Sequence, residues 1–362
     1  MKITYLGIRG IPAHYGGFET CVDVTARLLA AAGHQVTVFC RTQHFEDRPE
    51  WFDGVHLRYA HRFGPPAFHT LGHTLRCARA MRGADVDIVH VYGVGNAPAL
   101  PFLGRPGRKI VLSVDAQDWA RDKWGVAARN YLLLSARLAG RLADRVVVDS
   151  RAIGDLYQAR FGIPTSYIAY GADTVPAGEQ GWLEKFDLHP GQYHLFVGRL
   201  TPEKRPHHLI KAYRQVRSPM PLIIVGDNPY NDDYVNQLKN LADDRVRFVG
   251  TVYDQGFHQL CHHCYLYLTA SAIEGTSPAL LQAMGQGAAV LVNGIPANRE
   301  TIGNAGFAYQ EGDLADLSRR WQELVDNPGR VQAIRPAAVR RIQEHYTWEK
   351  IAADLETLYR SI

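Results

Sequence analysis

Short apolar runs alternate with segments of helical period from one end of the chain to the other. KITYLGI opens at residue 2, a loop bearing Gly10, Gly16 and Gly17 follows, and FETCVDVTARLLAAAG has the apolar spacing of an amphipathic helix. QVTVFC, DIVHVYG, KIVLSVD, RVVVDS and TSYIAYG repeat the strand pattern. Helices are expected between them over HTLGHTLRCARAMRG, roughly 125–143 and near 151–161. The stretch near 41–66, polar and aromatic, reads as a long connection. The second half repeats the scheme with YHLFVG, PLIIVG, RVRFVG, CYLYLTA, AAVLV and GFAYQ. Strands of this length separated by helices predict parallel sheets covered on both faces. GADTVPAGEQG, near 171–181, has the composition of a linker. The expectation is an α/β chain of two doubly wound, Rossmann-like domains facing across a cleft. These would be 1–170 and 171–346, with a last helix at 347–362 returning to the first.

Two segments of the second half carry the chemistry. LFVGRLTPEKRPHHLIK places Arg199 and Lys204 between an apolar run and a helix, and SAIEGTSPALLQAMGQG places Glu274 just before another helix. Two cations and an exposed helix N-terminus suit a diphosphate. A carboxylate beside them suits the hydroxyls of a sugar carried on it. Ser277 is a good N-cap, Pro278 a good first residue, Leu280, Leu281 and Met284 an inward stripe, and Gly287 a stop. Gly275 would let a ligand approach the backbone closely. The pattern points to a nucleotide-sugar.

Composition narrows the field. At 362 residues, 46% hydrophobic and 21% charged, the chain has the make-up of a two-domain globular protein. No apolar run approaches a membrane span and the N-terminus has no signal-peptide pattern, so a cytoplasmic location is expected, with peripheral contact at the inner membrane face as an option. Five scattered cysteines fit a reducing compartment, and Cys261-His262-His263-Cys264 lacks the second ligand pair that structural zinc needs. Residues 1–170 hold 21 Lys+Arg against 14 Asp+Glu, a net of +7, whereas the rest carries −3. That asymmetry favours an anionic partner for the first half: a phosphate-bearing acceptor or an anionic membrane surface met by Arg76, Arg79 and Arg82. Aromatics do not interleave with those arginines, so nucleic acid is not expected as a partner.

Two rival signals fail in context. The first loop lacks a tight G-x-G-x-x-G and the second strand ends in Arg41 rather than an acid, which argues against a dinucleotide-dependent dehydrogenase. Asp85-Val86-Asp87 has the look of a metal-holding pair but precedes its strand, at the wrong end of the sheet. No metal ligands and no cofactor are assigned.

The motifs carry a family resemblance. VGRLTPEKRP, the segment from Glu274 to position 282 and the closing YTWEKIAADLETLY resemble glycosyltransferase family 4, retaining enzymes of GT-B architecture. ITYLGIRGIPAHYGGFET, VDAQDWARDKWG and YIAYGAD are similar to the rhamnosyltransferase-like proteins of bacterial polysaccharide assembly. The resemblance covers nearly the whole chain and implies a donor site in the second domain and an acceptor site in the first. It implies Arg199 and Lys204 on the leaving diphosphate, Glu274 on donor-sugar hydroxyls, and the amides at Gly275, Thr276 and Ser277 on phosphate or sugar. Gly198 and Gly226, closing YHLFVG and PLIIVG, are assigned to the donor site as well. Where the family has a second acid for the ribose, this chain has Gln282, which can hydrogen-bond but brings no charge. Asp115 stands where many members have histidine, as base or orienter. Gly10, Gly16, Gly17, Asp118, Arg121 and Lys123 fall to the acceptor side. The implied reaction is metal-independent transfer with retention of configuration. The donor would be a dTDP-, UDP- or GDP-sugar (dTDP-rhamnose by the subgroup), and the acceptor a saccharide on a lipid diphosphate. A nucleotide-sugar epimerase or hydrolase of the same shape, and a non-enzymatic carbohydrate- or membrane-binding protein, are the alternatives. The epimerase would keep the diphosphate site, whereas the binding protein would have no reason to keep Arg199, Lys204 and Glu274 together.

Overall fold

A computed structural model describes residues 1–13, 16–64, 68–121, 124–174, 181–228 and 232–362. The chain divides into two compact units, Met1–Tyr170 with Trp348–Ile362, and Gly171–Thr347.

The first unit is built on eight strands: β1 (Lys2–Leu6), β2 (Gln35–Arg41), β3 (Trp51–Phe52), β4 (Val55–Ala60), β5 (Ile88–Tyr92), β6 (Lys109–Val114), β7 (Arg145–Val148) and β8 (Ser166–Tyr167). Their order in the sheet is β3-β4-β2-β1-β5-β6-β7-β8, parallel throughout except for β3 against β4. All five residues of β5 are buried, as befits a strand covered on both faces. The stretch read as a connection near 41–66 in fact contains the β3–β4 hairpin. Asp53 and Gly54 turn it with φ of 44° and 79°, the left-handed pair that a two-residue hairpin loop requires.

The helix Trp348–Arg360 belongs to this unit through a buried polar chain. The Tyr359 hydroxyl meets Tyr5 Oη at 3.1 Å and His90 Nδ1 at 2.6 Å, and His90 Nε2 meets Ser113 Oγ at 2.7 Å. Every member is buried. Removing the tyrosine would orphan groups that have no water to turn to.

The second unit has six strands, all parallel: β9 (His194–Val197), β10 (Leu222–Val225), β11 (Val246–Phe248), β12 (Leu266–Thr269), β13 (Val290–Asn293) and β14 (Phe307–Tyr309). The order is β11-β10-β9-β12-β13-β14, so the chain reverses direction across the sheet between β9 and β12. The core packs Phe196, Leu209, Tyr213, Leu268 and Trp321. His194 lies inside it, accepting from Trp321 Nε1 at 3.2 Å through Nδ1 and meeting Ser218 Oγ at 3.2 Å through Nε2. The two doubly wound parallel sheets expected from the alternation are present, one per unit.

Burial lowers the pKa of both His90 and His194 from 6.5 to about 3. Each stays neutral in the fold but protonates in the unfolded chain below about pH 6.5, so the unfolded state gains protons as pH falls. Stability should therefore drop from about pH 6.5 downward, by about 1.4 kcal/mol per pH unit for each histidine. Urea melts at about pH 7 and about pH 5 check this, and equal midpoints would contradict it.

Candidate functional site

The loops that leave β9 and β12 diverge from adjacent strand ends, which opens a notch at the carboxyl edge of the second sheet. Residues 198–205 form one wall and 270–277 the other. Ala272 N donates to Glu203 O at 2.9 Å and stitches the walls together. Beside that bond Lys204 forms an ion pair with Glu274, their side chains 19% and 11% exposed. Residues seventy apart in sequence are thus brought into contact. Arg199, half-buried on the same loop, has no side-chain hydrogen bond or ion pair among the described residues.

Backbone packing sets the floor of the notch. Gly198 N donates to Val225 O at 3.0 Å and Gly226 N to Gly250 O at 2.8 Å. Gly226 has φ of 142°, and a Cβ there would lie 1.9 Å from the Gly198 carbonyl oxygen. Position 226 is therefore glycine because the ends of β9 and β10 touch there. Tyr267 Oη donates to Val197 O at 3.3 Å. Burial, with the Glu274 charge adding to it, holds that phenol well above its ordinary pKa, so it stays a donor.

After Glu274 the chain passes through Gly275 and the buried Thr276 into the helix Pro278–Gly285. Ser277 occupies the N-cap with φ −81° and ψ 114°, but its hydroxyl makes no cap hydrogen bond, and the proline takes the first turn. Gln282 faces elsewhere. Its Oε1 accepts from Asp173 N at 3.3 Å, and its Nε2 donates to Asp173 O at 3.2 Å. Gly285 makes room for that carbonyl, since a Cβ would come within 2.3 Å of it. Both ends of the Gln282 amide are thus spent on the chain at 173, and a ribose would have to displace them.

In the first unit, Asp115, Asp118 and Arg121 gather beyond the carboxyl end of β6. Arg121 Nη2 donates to Asp115 Oδ2 at 2.7 Å, and its Nε lies 2.9 Å from Asp118 Oδ1. Asp115 Oδ1 accepts from Ala116 N at 2.8 Å. The aspartate is thus engaged by a guanidinium and an amide. Lys123 lies outside the described residues. Gly10 packs against Cys40 and Phe45, with room for no Cβ, while Gly16 precedes and Gly17 opens the helix Gly17–Ala31. The acids Asp85 and Asp87 sit at the opposite, amino edge, bound to the Lys2 side chain and to Lys2 N at 2.7 Å. Cys261 and Cys264 are buried thiols, and among the described residues no group of three His, Cys, Asp or Glu is placed to hold a metal.

Both units resemble known proteins. Residues 184–341 match the family described as Glycosyl transferases group 1, and residues 16–171 match the Glycosyl transferase 4-like domain. Each unit of the chain thus matches the model of a glycosyltransferase domain. Over 239 residues it is 25% identical to O-antigen chain mannosyltransferase B of Escherichia coli, an alignment spanning 62% of this chain and 56% of that protein. Its fold is similar to sucrose-phosphate synthase from Thermosynechococcus elongatus, with TM-score 0.83 and 20% identity over 99% of this chain and 98% of the other. It is also similar to Anabaena Alr3699/HepE, solved in complex with UDP, with TM-score 0.78 and 19% identity over 100% of both chains. Those likenesses establish a GT-B fold of two parallel-sheet units.

Sequence reasoning missed the residues that brace the walls of the notch. Asn293, fully buried at the end of β13, donates from Nδ2 to Ser271 O at 2.9 Å and accepts at Oδ1 from Gly312 N at 3.0 Å. Asn228 Nδ2 donates to Leu200 O at 3.0 Å and braces the other wall. A polar residue closing an apolar strand was the available signal for Asn293. Asn293→Ala should leave two backbone groups without partners and cost about 2–6 kcal/mol, at about 1–3 kcal/mol for each orphaned group. Thermal melts would show it, and an unchanged midpoint would remove Asn293 from this role.

Proposed function

We propose that this glycosyltransferase moves a sugar from a nucleoside-diphosphate donor with retention of configuration and without a metal, in the synthesis of a bacterial surface polysaccharide. The observation that carries the reading is the Lys204–Glu274 pair beside Arg199 at the point where the second sheet reverses. Ligands of open α/β sheets bind at that place, and the three side chains supply what a nucleotide-sugar presents: anionic oxygens and hydroxyls. The Lys204 ammonium has three donors, enough to keep Glu274 and take a phosphate oxygen as well. The UDP held by HepE, a structural relative, supports a nucleotide donor.

In this reading the donor diphosphate lies against Arg199, Lys204 and the amides at Gly275, Thr276 and Ser277, with Glu274 on sugar hydroxyls. As the glycosidic bond lengthens, negative charge grows on the departing diphosphate and positive charge on the sugar ring. Fixed cations already aimed at the first lower the barrier without reorganising. A diphosphate oxygen takes the acceptor's proton, so no enzymic base is required, and Asp115 is read as an orienter of the acceptor beside Asp118 and Arg121. The sugar is read as rhamnose and the acceptor as a saccharide on a lipid diphosphate. The relative that builds O-antigen chains supports a polysaccharide setting. Such an acceptor is read as met at the membrane's cytoplasmic face; no helix among the described residues is long and apolar enough to cross a membrane.

The test is transfer from dTDP-, UDP- and GDP-sugars to a lipid-linked saccharide, followed for the wild type and for Arg199→Ala, Lys204→Ala and the double variant. Each loss should lower turnover as well as donor affinity, with melts confirming that each variant folds, because these charges matter most as the leaving group forms. Near wild-type turnover in the double variant would sink the donor-site assignment.

Activity should also persist in excess EDTA. Loss on chelation with rescue by manganese or magnesium would instead mean that a bound metal neutralises the diphosphate.

A further inference from the structure

A second cluster of positive charge lies in the first unit, apart from Asp115 and Arg121. Arg9 follows β1, Arg41 ends β2, and Arg62 stands two residues beyond Ala60, the partner of Arg41 on β4. Three neighbouring strands therefore each deliver an arginine at the same carboxyl edge. Arg41 N donates to Arg9 O at 2.6 Å, which locks two of the three backbones together. Arg41 Nη2 donates to Thr70 Oγ1 at 3.0 Å, in the first turn of the helix His69–Ala80. That turn contains no acid and no side-chain cap hydrogen bond, and its positive end lies beside Arg41. Arg41 Nε is buried without a hydrogen-bond partner.

The charges act on one another. Burial first, then Arg9 and Arg62 against the single opposing carboxylate of Glu19, lower the Arg41 pKa to about 10. Burial followed by Arg9, Arg41 and Arg62 also holds His44 below its ordinary value. Glu19 itself is already bound to Arg9 N at 3.0 Å. Packing alone gives no reason to crowd like charges into a half-buried place, but an anionic ligand does. Guanidinium forks match the oxygens of a phosphate, and an orphaned donor waits for one of them.

We propose that Arg9, Arg41 and Arg62 form an anion pocket for a phosphate or diphosphate group carried by the acceptor. The acceptor part of this statement rests on the reading of the first unit as the acceptor side. The anion pocket itself does not.

Calorimetric titration of inorganic pyrophosphate tests it, in protein carrying Arg199→Ala and Lys204→Ala so that the donor cations are removed. That protein should bind pyrophosphate, and adding Arg62→Gln should weaken binding about tenfold or more. Arg41 is too enclosed to replace safely, so Arg9→Gln serves as the second variant, with melts confirming that each folds. Geranyl diphosphate and glucose 1-phosphate are then competed against pyrophosphate, and displacement by either supports the pocket and tells a lipid carrier from a sugar phosphate. No pyrophosphate binding, or equal affinity with Arg9→Gln and Arg62→Gln combined, overturns the pocket. Displacement by neither ester overturns its assignment to the acceptor. Because the titration needs no donor, failure of the wild type to transfer sugar, with pyrophosphate binding intact here, would count against the transferase reading alone.

Discussion

A parallel sheet sends every loop that follows a strand to one edge, and a chain that fills the sheet outward in two directions must leave a gap between its first two loops. Everything at the donor notch follows from that constraint acting on β9 and β12. The Arg199–Lys204 loop and the Glu274 loop leave neighbouring strand ends in opposite directions, yet the Glu203–Ala272 hydrogen bond and the Lys204–Glu274 pair hold their roots together. The surrounding devices serve the same end. Gly226 lets β10 touch Gly198, Asn228 ties down one loop, and Asn293 ties down the other.

The two units handle charge differently. In the second, a mostly enclosed lysine and glutamate are paired, which offsets the desolvation each would otherwise suffer and leaves Arg199 as the cation without a protein partner among the described residues. In the first, Arg121 is held by two aspartates, whereas Arg41 is crowded by Arg9 and Arg62 with Glu19 opposing them. Paired charges are positioned and quiet. Crowded like charges are strained, and a ligand of the opposite sign relieves them. The excess of positive charge over residues 1–170 is therefore not spread evenly, because part of it is concentrated at one sheet edge.

Gln282 shows how far a motif can be carried by position. The spacing from Glu274 is retained, so the residue falls on the helix where the alignment expects a ribose contact. The side chain is nonetheless turned to Asp173, clasping both backbone groups of the chain that enters the unit. A carboxylate at 282 could accept from Asp173 N but could not donate to its carbonyl, so the amide suits this clasp as the family's acid would not. The missed hairpin at 51–60 teaches a complementary point. Asp53-Gly54 between two apolar stretches was legible as a tight turn, but the polar and aromatic mixture around it masked the strands.

Periodicity alone determined the strand and helix alternation, because strands buried on both faces must be continuously apolar and their covering helices amphipathic. The cations, the acid before a proline-started helix and the basic first half were legible for the same reason: residue type and local spacing carry them. Which strands become neighbours is decided by packing across the sheet, and no local pattern encodes it. Only the tertiary structure, therefore, brought Lys204 to Glu274, gathered Arg9, Arg41 and Arg62 at the ends of adjoining strands, buried His90 against Tyr359, and spent Gln282 on the backbone at 173. Each is a contact between segments far apart in the chain, made when the sheet closes over its core.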